Sequence, residues 1–172
     1  MNNYIVLLRG INVGGKNILP MKELSLLLEN EGYKNVKTYI QSGNVVLSTT
    51  KNPRNDIAVL VHKNFGFTPE VMTLTEDEFN ASVINNPYQT SEGKFVHFYF
   101  CNEVPNINIE KLENLTIDSE RYKLVGQVFY LHTPEGFGRS KLAAKIESCL
   151  GVSATARNLN TINKLKTMIE NV

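Results

Sequence analysis

The sequence predicts an α+β protein made of two copies of one βαββαβ unit, and three observations carry that prediction. Apolar runs of strand length alternate with apolar stripes at helical spacing. Two hairpin signals set consecutive strands side by side, and the order of elements in the first half returns in the second. At 172 residues the chain is long enough to bury about two-thirds of its unfolded surface, so a substantial core is expected.

Taken in order, Tyr4 to Arg9 is a compact apolar run closed by Gly10 and reads as a strand. Pro20 suits the first turn of a helix, where a missing N–H costs nothing. Met21, Leu24, Leu27 and Leu28 form the helical stripe, with Gly32 as the stop. Val36 to Gln41 and Asn44 to Ser48 read as strands joined by a tight Ser42-Gly43 turn, glycine supplying positive φ. Asn52-Pro53 opens a second helix carrying Ile57, Leu60, Val61 and Phe65, ended at Gly66, and Pro69 to Leu74 is the fourth strand. This βαββαβ order is the ferredoxin-like pattern.

Thr75-Glu76-Asp77-Glu78 reads as a capping box ahead of a short helix with Phe79 and Val83; acids in a first turn are favoured by the helix dipole without any catalytic role. Asn86 to Gly93 is the best linker. Beyond it, Lys94 to Cys101 reads as a strand, Asn108 to Leu115 as a capped helix, and Arg121 to Val125 with Gln127 to Thr133 as a hairpin about Gly126. Ser140 to Leu150 reads as one helix, Val152 to Ala156 as a short last strand, and the segment from Asn158 as a final helix with Leu159, Ile162, Leu165, Ile169 and Val172 on its apolar side. The expected division is a first subdomain over 1–86 and a second over 87–172, the latter with the extra C-terminal helix, both within one compact unit.

Formal charge is +1, so no global field draws the protein to nucleic acid or to a membrane surface, and any basic site is local. No run approaches the roughly 20 apolar residues of a membrane span, and the N-terminus lacks a signal peptide's charge and apolar segment. A cytoplasmic protein is the expectation. Cys101 and Cys149 lie far apart, without metal-ligand spacing, and read as reduced core thiols. His62, His97 and His132 fall on predicted helix and strands, none beside a serine or cysteine elbow, so neither a nucleophilic triad nor a metal site is expected.

Three basic stretches remain. Gly10-x-x-x-x-Gly15-Lys16 matches seven positions of a nucleotide-binding P-loop, but Asn17 stands where a magnesium-ligating hydroxyl belongs and the strand order is wrong for that fold. A weaker reading survives: Gly14 and Gly15 let backbone N–H groups approach an anion, with Arg9, Asn12 and Lys16 as further contacts. The second stretch, Pro134 to Leu142, repeats strand, glycines, base and helix start, with Arg139 able to grip two oxygens, Ser140 as cap and Lys141 beside it. The third is Thr155 to Thr161, with Arg157 and a capping Asn158. Glycines and asparagines at all three also have a plain explanation in turn and cap geometry. Nucleic-acid binding is disfavoured, because Phe95, Phe98, Tyr99, Phe100, Phe129 and Tyr130 alternate over both strand faces and no basic-glycine-aromatic signature is present.

Leu7-Leu8-Arg9-Gly10-Ile11-Asn12-Val13-Gly14-Gly15, Leu19-Pro20-Met21, Tyr39-Ile40-Gln41-Ser42-Gly43-Asn44-Val45-Val46, Gly138-Arg139-Ser140-Lys141-Leu142 and Thr155-Ala156-Arg157-Asn158-Leu159-Asn160-Thr161 resemble the signature blocks of the family known as domain of unknown function 1697. Leu159 departs from it, an aromatic residue being expected there, which bears only on a stacking contact. The resemblance implies two ferredoxin-like subdomains exchanging N-terminal strands, and no established activity.

The functional expectation is a small phosphate- or carboxylate-bearing ligand, neutralised by Arg9, Lys16, Arg139 and Arg157 and oriented by Gln41, Ser42 and Asn44. The Gly10 loop and the Gln41 to Asn44 turn are expected at opposite ends of one sheet, so these groups would meet only in a cleft between the halves. No general base is evident, and any catalysis would act by stabilising developing negative charge. The alternatives are a nucleic-acid-binding module of the same architecture and an interaction module without a small ligand.

Overall fold

The computed structural model describes residues 1–172 and is an α+β protein with two four-stranded antiparallel sheets and seven α-helices. The chain divides into two compact units: Met1–Ala81 with Lys164–Val172, and Ser82–Asn163.

The first unit comprises β1 (Asn2–Arg9), α1 (Met21–Asn30), β2 (Lys34–Tyr39), β3 (Asn44–Thr49), α2 (Arg54–Phe65), β4 (Glu70–Thr75) and most of α3 (Glu76–Ile84), in sheet order β2-β3-β1-β4. Central β1 is the most apolar strand because both its faces are buried. Tyr4, Val6 and Leu8 join Val45, Leu47 and Val71 under Leu24 and Leu28 of α1 and Ile57 and Val61 of α2, while Ile5, Leu7 and Val46 are buried on the other face. Each such aliphatic side chain removed from water contributes about 1.5–3 kcal/mol, which makes this cluster the main support of the unit. Pro20 and Pro53 stand just before α1 and α2, and Gly66 ends α2 at φ 82°. The capping box forms as the sequence predicts, with Thr75 N–H donating to Glu78 Oε2 (2.8 Å) and Glu78 N–H to Thr75 Oγ1 (3.1 Å).

The second unit follows the same strand order, β6-β7-β5-β8, from β5 (Val96–Cys101), α4 (Ile109–Leu115), β6 (Arg121–Val125), β7 (Val128–His132), α5 (Lys141–Ala144), α6 (Ile146–Leu150) and β8 (Ala154–Asn158). A single 3-10 turn, Gly93–Phe95, precedes β5. Tyr99, Cys101, Phe129 and Leu131 face Leu112, Leu142, Ile146, Cys149 and Leu150 of the helices, and both cysteines are buried free thiols. The last helix, α7 (Leu159–Glu170), begins in the second unit and ends in the first. There Lys37 Nζ donates to the Asn171 carbonyl at 3.0 Å.

Four expectations are corrected. Every strand of each sheet comes from its own half of the chain, so N-terminal strands are not exchanged; β1 is held on both sides by β3 and β4. The β2–β3 connection has four residues, Ile40 to Gly43, rather than a tight two-residue turn, because Ile40 as well as Gly43 takes positive φ (48° and 93°). The helix expected over Ser140 to Leu150 breaks at Lys145 (φ −121°), and Leu142, Ile146, Cys149 and Leu150 still share one core. The last strand starts two residues late, since Gly151 caps α6 at φ 70° and pairing with β5 begins at Ala154 opposite Cys101.

Candidate functional site

The Gly10 loop of the first unit is a closed construction. Lys16 N–H donates to the Val13 carbonyl at 3.1 Å, with Gly14 and Gly15 between them at φ 59° and 71°. Positive φ at both central residues makes this a type I′ turn, a two-residue hairpin that glycine adopts without strain. Added Cβ atoms at either position would meet nothing within 4 Å. The glycines serve the turn rather than a close approach to backbone. Asn12, itself at φ 52°, uses its amide completely: Nδ2 donates to the carbonyls of Leu19 and Gln41, both at 2.9 Å, and Oδ1 accepts from Leu19 N–H at 2.8 Å. Asn17, also at positive φ, donates from Nδ2 to the Gly10 carbonyl at 2.9 Å.

Asn12 thus ties the loop to the Gln41 turn within one unit, and the expectation that they lie at opposite ends is wrong. Helix α1 returns the chain so that β2 runs parallel to β1 with β3 antiparallel between them. The C-terminal ends of β1 and β2 therefore share one edge of the sheet, and Leu7 lies opposite Asn44. Buried Asn44 donates to the Tyr39 carbonyl and to Ser42 Oγ (3.0 and 3.1 Å), while Gln41 and Ser42 are exposed. Gly43 is the tight spot: a Cβ there would sit 2.7 Å from Ile11 Cδ1 and 2.8 Å from Leu8 Cβ. Arg9 is partly exposed and pairs with Glu70, directly across on β4, at 3.0 Å. Lys16 is exposed. So are the apolar Val13, Ile18 and Ile40.

The second unit uses similar residues differently. The loop from Thr133 to Ser140 is held by Gly136 N–H to the Thr133 carbonyl (3.0 Å) and Ser140 N–H to the Phe137 carbonyl (3.1 Å). Ser140 caps α5 as predicted, its Oγ accepting from Ala143 N–H at 3.0 Å. Between the two ties Phe137 lies flat on His97 of β5, ring centroids 3.7 Å apart and planes 18° from parallel. His97 is 9% exposed, and its Nδ1 is buried with no hydrogen-bond partner. Burial lowers its pKa to about 4, so the ring is neutral at pH 7. Arg139 and Lys141 follow, both exposed and neither engaged in an ion pair or hydrogen bond.

Arg157 is not gathered into that group. In the β8–β5 register it lies opposite Phe98, whereas Phe137 and the helices cover the face of Tyr99 and Cys101. It is 9% exposed, donates from Nη1 to the Ala156 carbonyl (2.9 Å), and burial lowers its pKa to about 10. Asn158 acts as a cap, Oδ1 accepting from Thr161 N–H at 3.0 Å. On the same face as His97, Tyr99 has a buried hydroxyl without a partner. Burial and then nearby Glu147 raise the Cys101 thiol to about 11, well away from nucleophilic use. Phe98, Tyr99, Phe100, Phe129 and Tyr130 are all buried.

The sequence gives His97 no triad or metal role and does not mark Phe137. The Gly136-Phe137-Gly138 spacing was the available signal, an aromatic between two permissive residues on a loop.

The fold and its loops define an α+β protein of two four-stranded antiparallel sheets, with Lys16 exposed on a stapled loop of the first unit and Arg139 exposed on an aromatic-pinned loop of the second. The chain belongs to the family described as Protein of unknown function (DUF1697), whose model matches residues 1–130. It is similar to the solved structure of the conserved bacterial protein SP0830 from Streptococcus pneumoniae, with a TM-score of 0.71 and 23% identity over 98% of each chain. At that identity the likeness concerns the fold alone. No curated protein matches the chain. No helix is long and apolar enough to cross a membrane.

Proposed function

We propose that the protein binds a small phosphate- or carboxylate-bearing ligand, with Arg139 and Lys141 of the second unit as its cationic contacts. The observation that carries this reading is that both are exposed and unengaged, Arg139 on a loop fixed by its own hydrogen bonds and by Phe137, and Lys141 in the first turn of α5. Arg9 is committed to Glu70, and Arg157 is buried. Arg139 can grip two oxygens of one phosphate or carboxylate while Lys141 adds charge. Each unit is read as ferredoxin-like, a reading supported by the shared strand order. A cytoplasmic setting is supported by the two unbonded thiols.

Thermal-shift screening with inorganic phosphate, citrate, nucleotides and sugar phosphates tests the proposal, since a ligand that binds only the folded state raises the melting temperature. At least one probe is expected to stabilise the protein, and Arg139→Ala to remove the shift. A shift that survives both Arg139→Ala and Lys141→Ala, or no shift at all, would overturn it. A second reading, an interaction module without small ligand, is favoured by exposed Val13, Ile18 and Ile40 on the stapled loops of the first unit. It predicts silence in the screen and concentration-dependent sedimentation that Val13→Ser and Ile40→Asn abolish.

A further inference from the structure

We propose that the first unit binds an aliphatic primary ammonium group, as in an alkylamine or a diamine, in the cavity between the C-terminal end of α1 and α2. Glu31, Tyr33 and Asp56 are its polar contacts, and Val59 lies along its alkyl stem. These residues belong to the first unit and the ligand has the opposite charge, so the proposal is independent of the anion reading of Arg139.

The cavity has a volume of about 520 Å³, within the range of small-molecule sites. Glu31 and Tyr33, which follow α1, line it together with Lys51 and with Asp56, Val59 and Leu60 of α2. Two of these groups point to a cation. Glu31 is the C-cap of α1, and the last turn of that helix has no base. An acid at the negative end of a helix dipole is misplaced unless a cation answers it, and the Glu31 side chain makes no ion pair or hydrogen bond. Tyr33 is the second group. It is 9% exposed with its ring in the core of the unit, yet its hydroxyl makes no hydrogen bond. That oxygen is not sealed in, unlike His97 Nδ1 and the Tyr99 hydroxyl, so it opens into the cavity that Tyr33 lines. Burial, and then the charges of Asp56 and Glu31, raise its pKa, which puts both carboxylates within electrostatic reach of it.

Asp56 by itself calls for no ligand. It stands in the first turn of α2, where acids are favoured, and Lys51 Nζ lies 2.9 Å from its Oδ2. With that pair formed, the lining keeps one net negative charge, that of Glu31. A primary ammonium supplies one positive charge and three N–H donors, which suit the Glu31 carboxylate and the Tyr33 oxygen. No group of three or more His, Cys, Asp or Glu side chains gathers in the chain, so the donor set suits an ammonium rather than a divalent ion. Asp56, Val59 and Leu60 stand three and four residues apart and so share one face of α2. Val59 is 65% exposed there, and an alkyl stem laid on it leaves water. An inorganic cation has no such stem. The second ammonium of a diamine reaches Asp56 by displacing Lys51.

The test is an NMR titration of the full chain with butylamine, putrescine and ammonium chloride at fixed ionic strength, followed at Tyr33, Val59 and Leu60. Both amines should saturate with a Kd on the order of 1 mM, and ammonium should bind about tenfold more weakly for want of the stem. Glu31→Gln should weaken both amines about fivefold. Tyr33→Phe keeps the buried ring and should weaken them about threefold. Lys51→Gln frees Asp56 and should tighten putrescine about threefold, and butylamine less. Shifts that never saturate would overturn the proposal. So would equal binding of ammonium and the amines, or binding that survives Glu31→Gln and Tyr33→Phe together, since either reduces the cavity to a diffuse acidic surface. None of these outcomes involves Arg139, so failure here leaves the anion reading as it stands.

Discussion

The loop after β1 and the loop after β7 have nearly the same ingredients, glycines, bases and a polar residue ahead of a helix, yet they are opposite in kind. In the first, the Asn12 amide is spent internally, the glycines answer to a type I′ turn, and Arg9 faces an acid. In the second, two bases are unengaged and a histidine nitrogen lies unsatisfied under an aromatic ring. Composition alone does not separate a loop that braces a fold from one left with unmet chemistry. What separates them is where each donor and acceptor ends up.

The largest effect that would sharpen this contrast comes from glycine. Gly43→Ala puts a Cβ on top of Leu8 and Ile11 at a φ of 93°, combining backbone strain with overpacking, and should cost about 3 kcal/mol or more in urea melts. Gly138→Ala, with open space around it, should cost less than about 1 kcal/mol. Equal costs would mean that the second loop is as tightly built as the first.

The second unit should also be the acid-sensitive one. His97 has its pKa lowered from 6.5 to about 4 by burial, so between those values the unfolded chain binds a proton that the folded chain does not. Its contribution is fully present above pH 6.5 and is lost as pH falls towards 4, on the order of 3 kcal/mol. His97→Phe should flatten that part of the stability profile, and an unchanged profile would remove His97 from the account.

Asn12→Ala should come next, at about 2 kcal/mol, since it strips partners from Leu19 N–H and from two carbonyls at once. Faster amide exchange at Leu19 would show the same loosening locally. A smaller effect of opposite sign is expected at Ile40, a β-branched residue held at φ 48°. Ile40→Asn should stabilise by about 1 kcal/mol, unless its exposed side chain is what the turn exists to present, in which case no gain appears. Last, Glu70→Gln removes an exposed ion pair and should change stability by less than about 0.5 kcal/mol. Phosphate should still fail to shift the melting of the Arg139→Ala protein when this change is added.

Features set by near neighbours in the chain were legible. The Thr75–Glu78 box and the caps at Asn108, Ser140 and Asn158 form as read, because each needs only residues within one turn. The buried Cys101 and Cys149 and the inward sheet aromatics were legible from apolar surroundings. Less legible was anything decided by distant pairing. The shared end of the Gly10 loop and the Gln41 turn depends on β3 inserting between β1 and β2, a pairing that no residue within either loop specifies. The Lys145 break hides inside an unbroken apolar stripe. The stack of Phe137 on His97 joins residues far apart in the chain, and no local pattern specifies it.

Helix α7 carries a consequence for how the protein is made. Its first turn belongs to the second unit and its final turns to the first. A chain emerging from the ribosome exposes its early segments first and ordinarily folds them first. Here the segment Ser82–Asn163 can be completed while Met1–Ala81 still waits for Lys164–Val172, so the unit begun first is finished last.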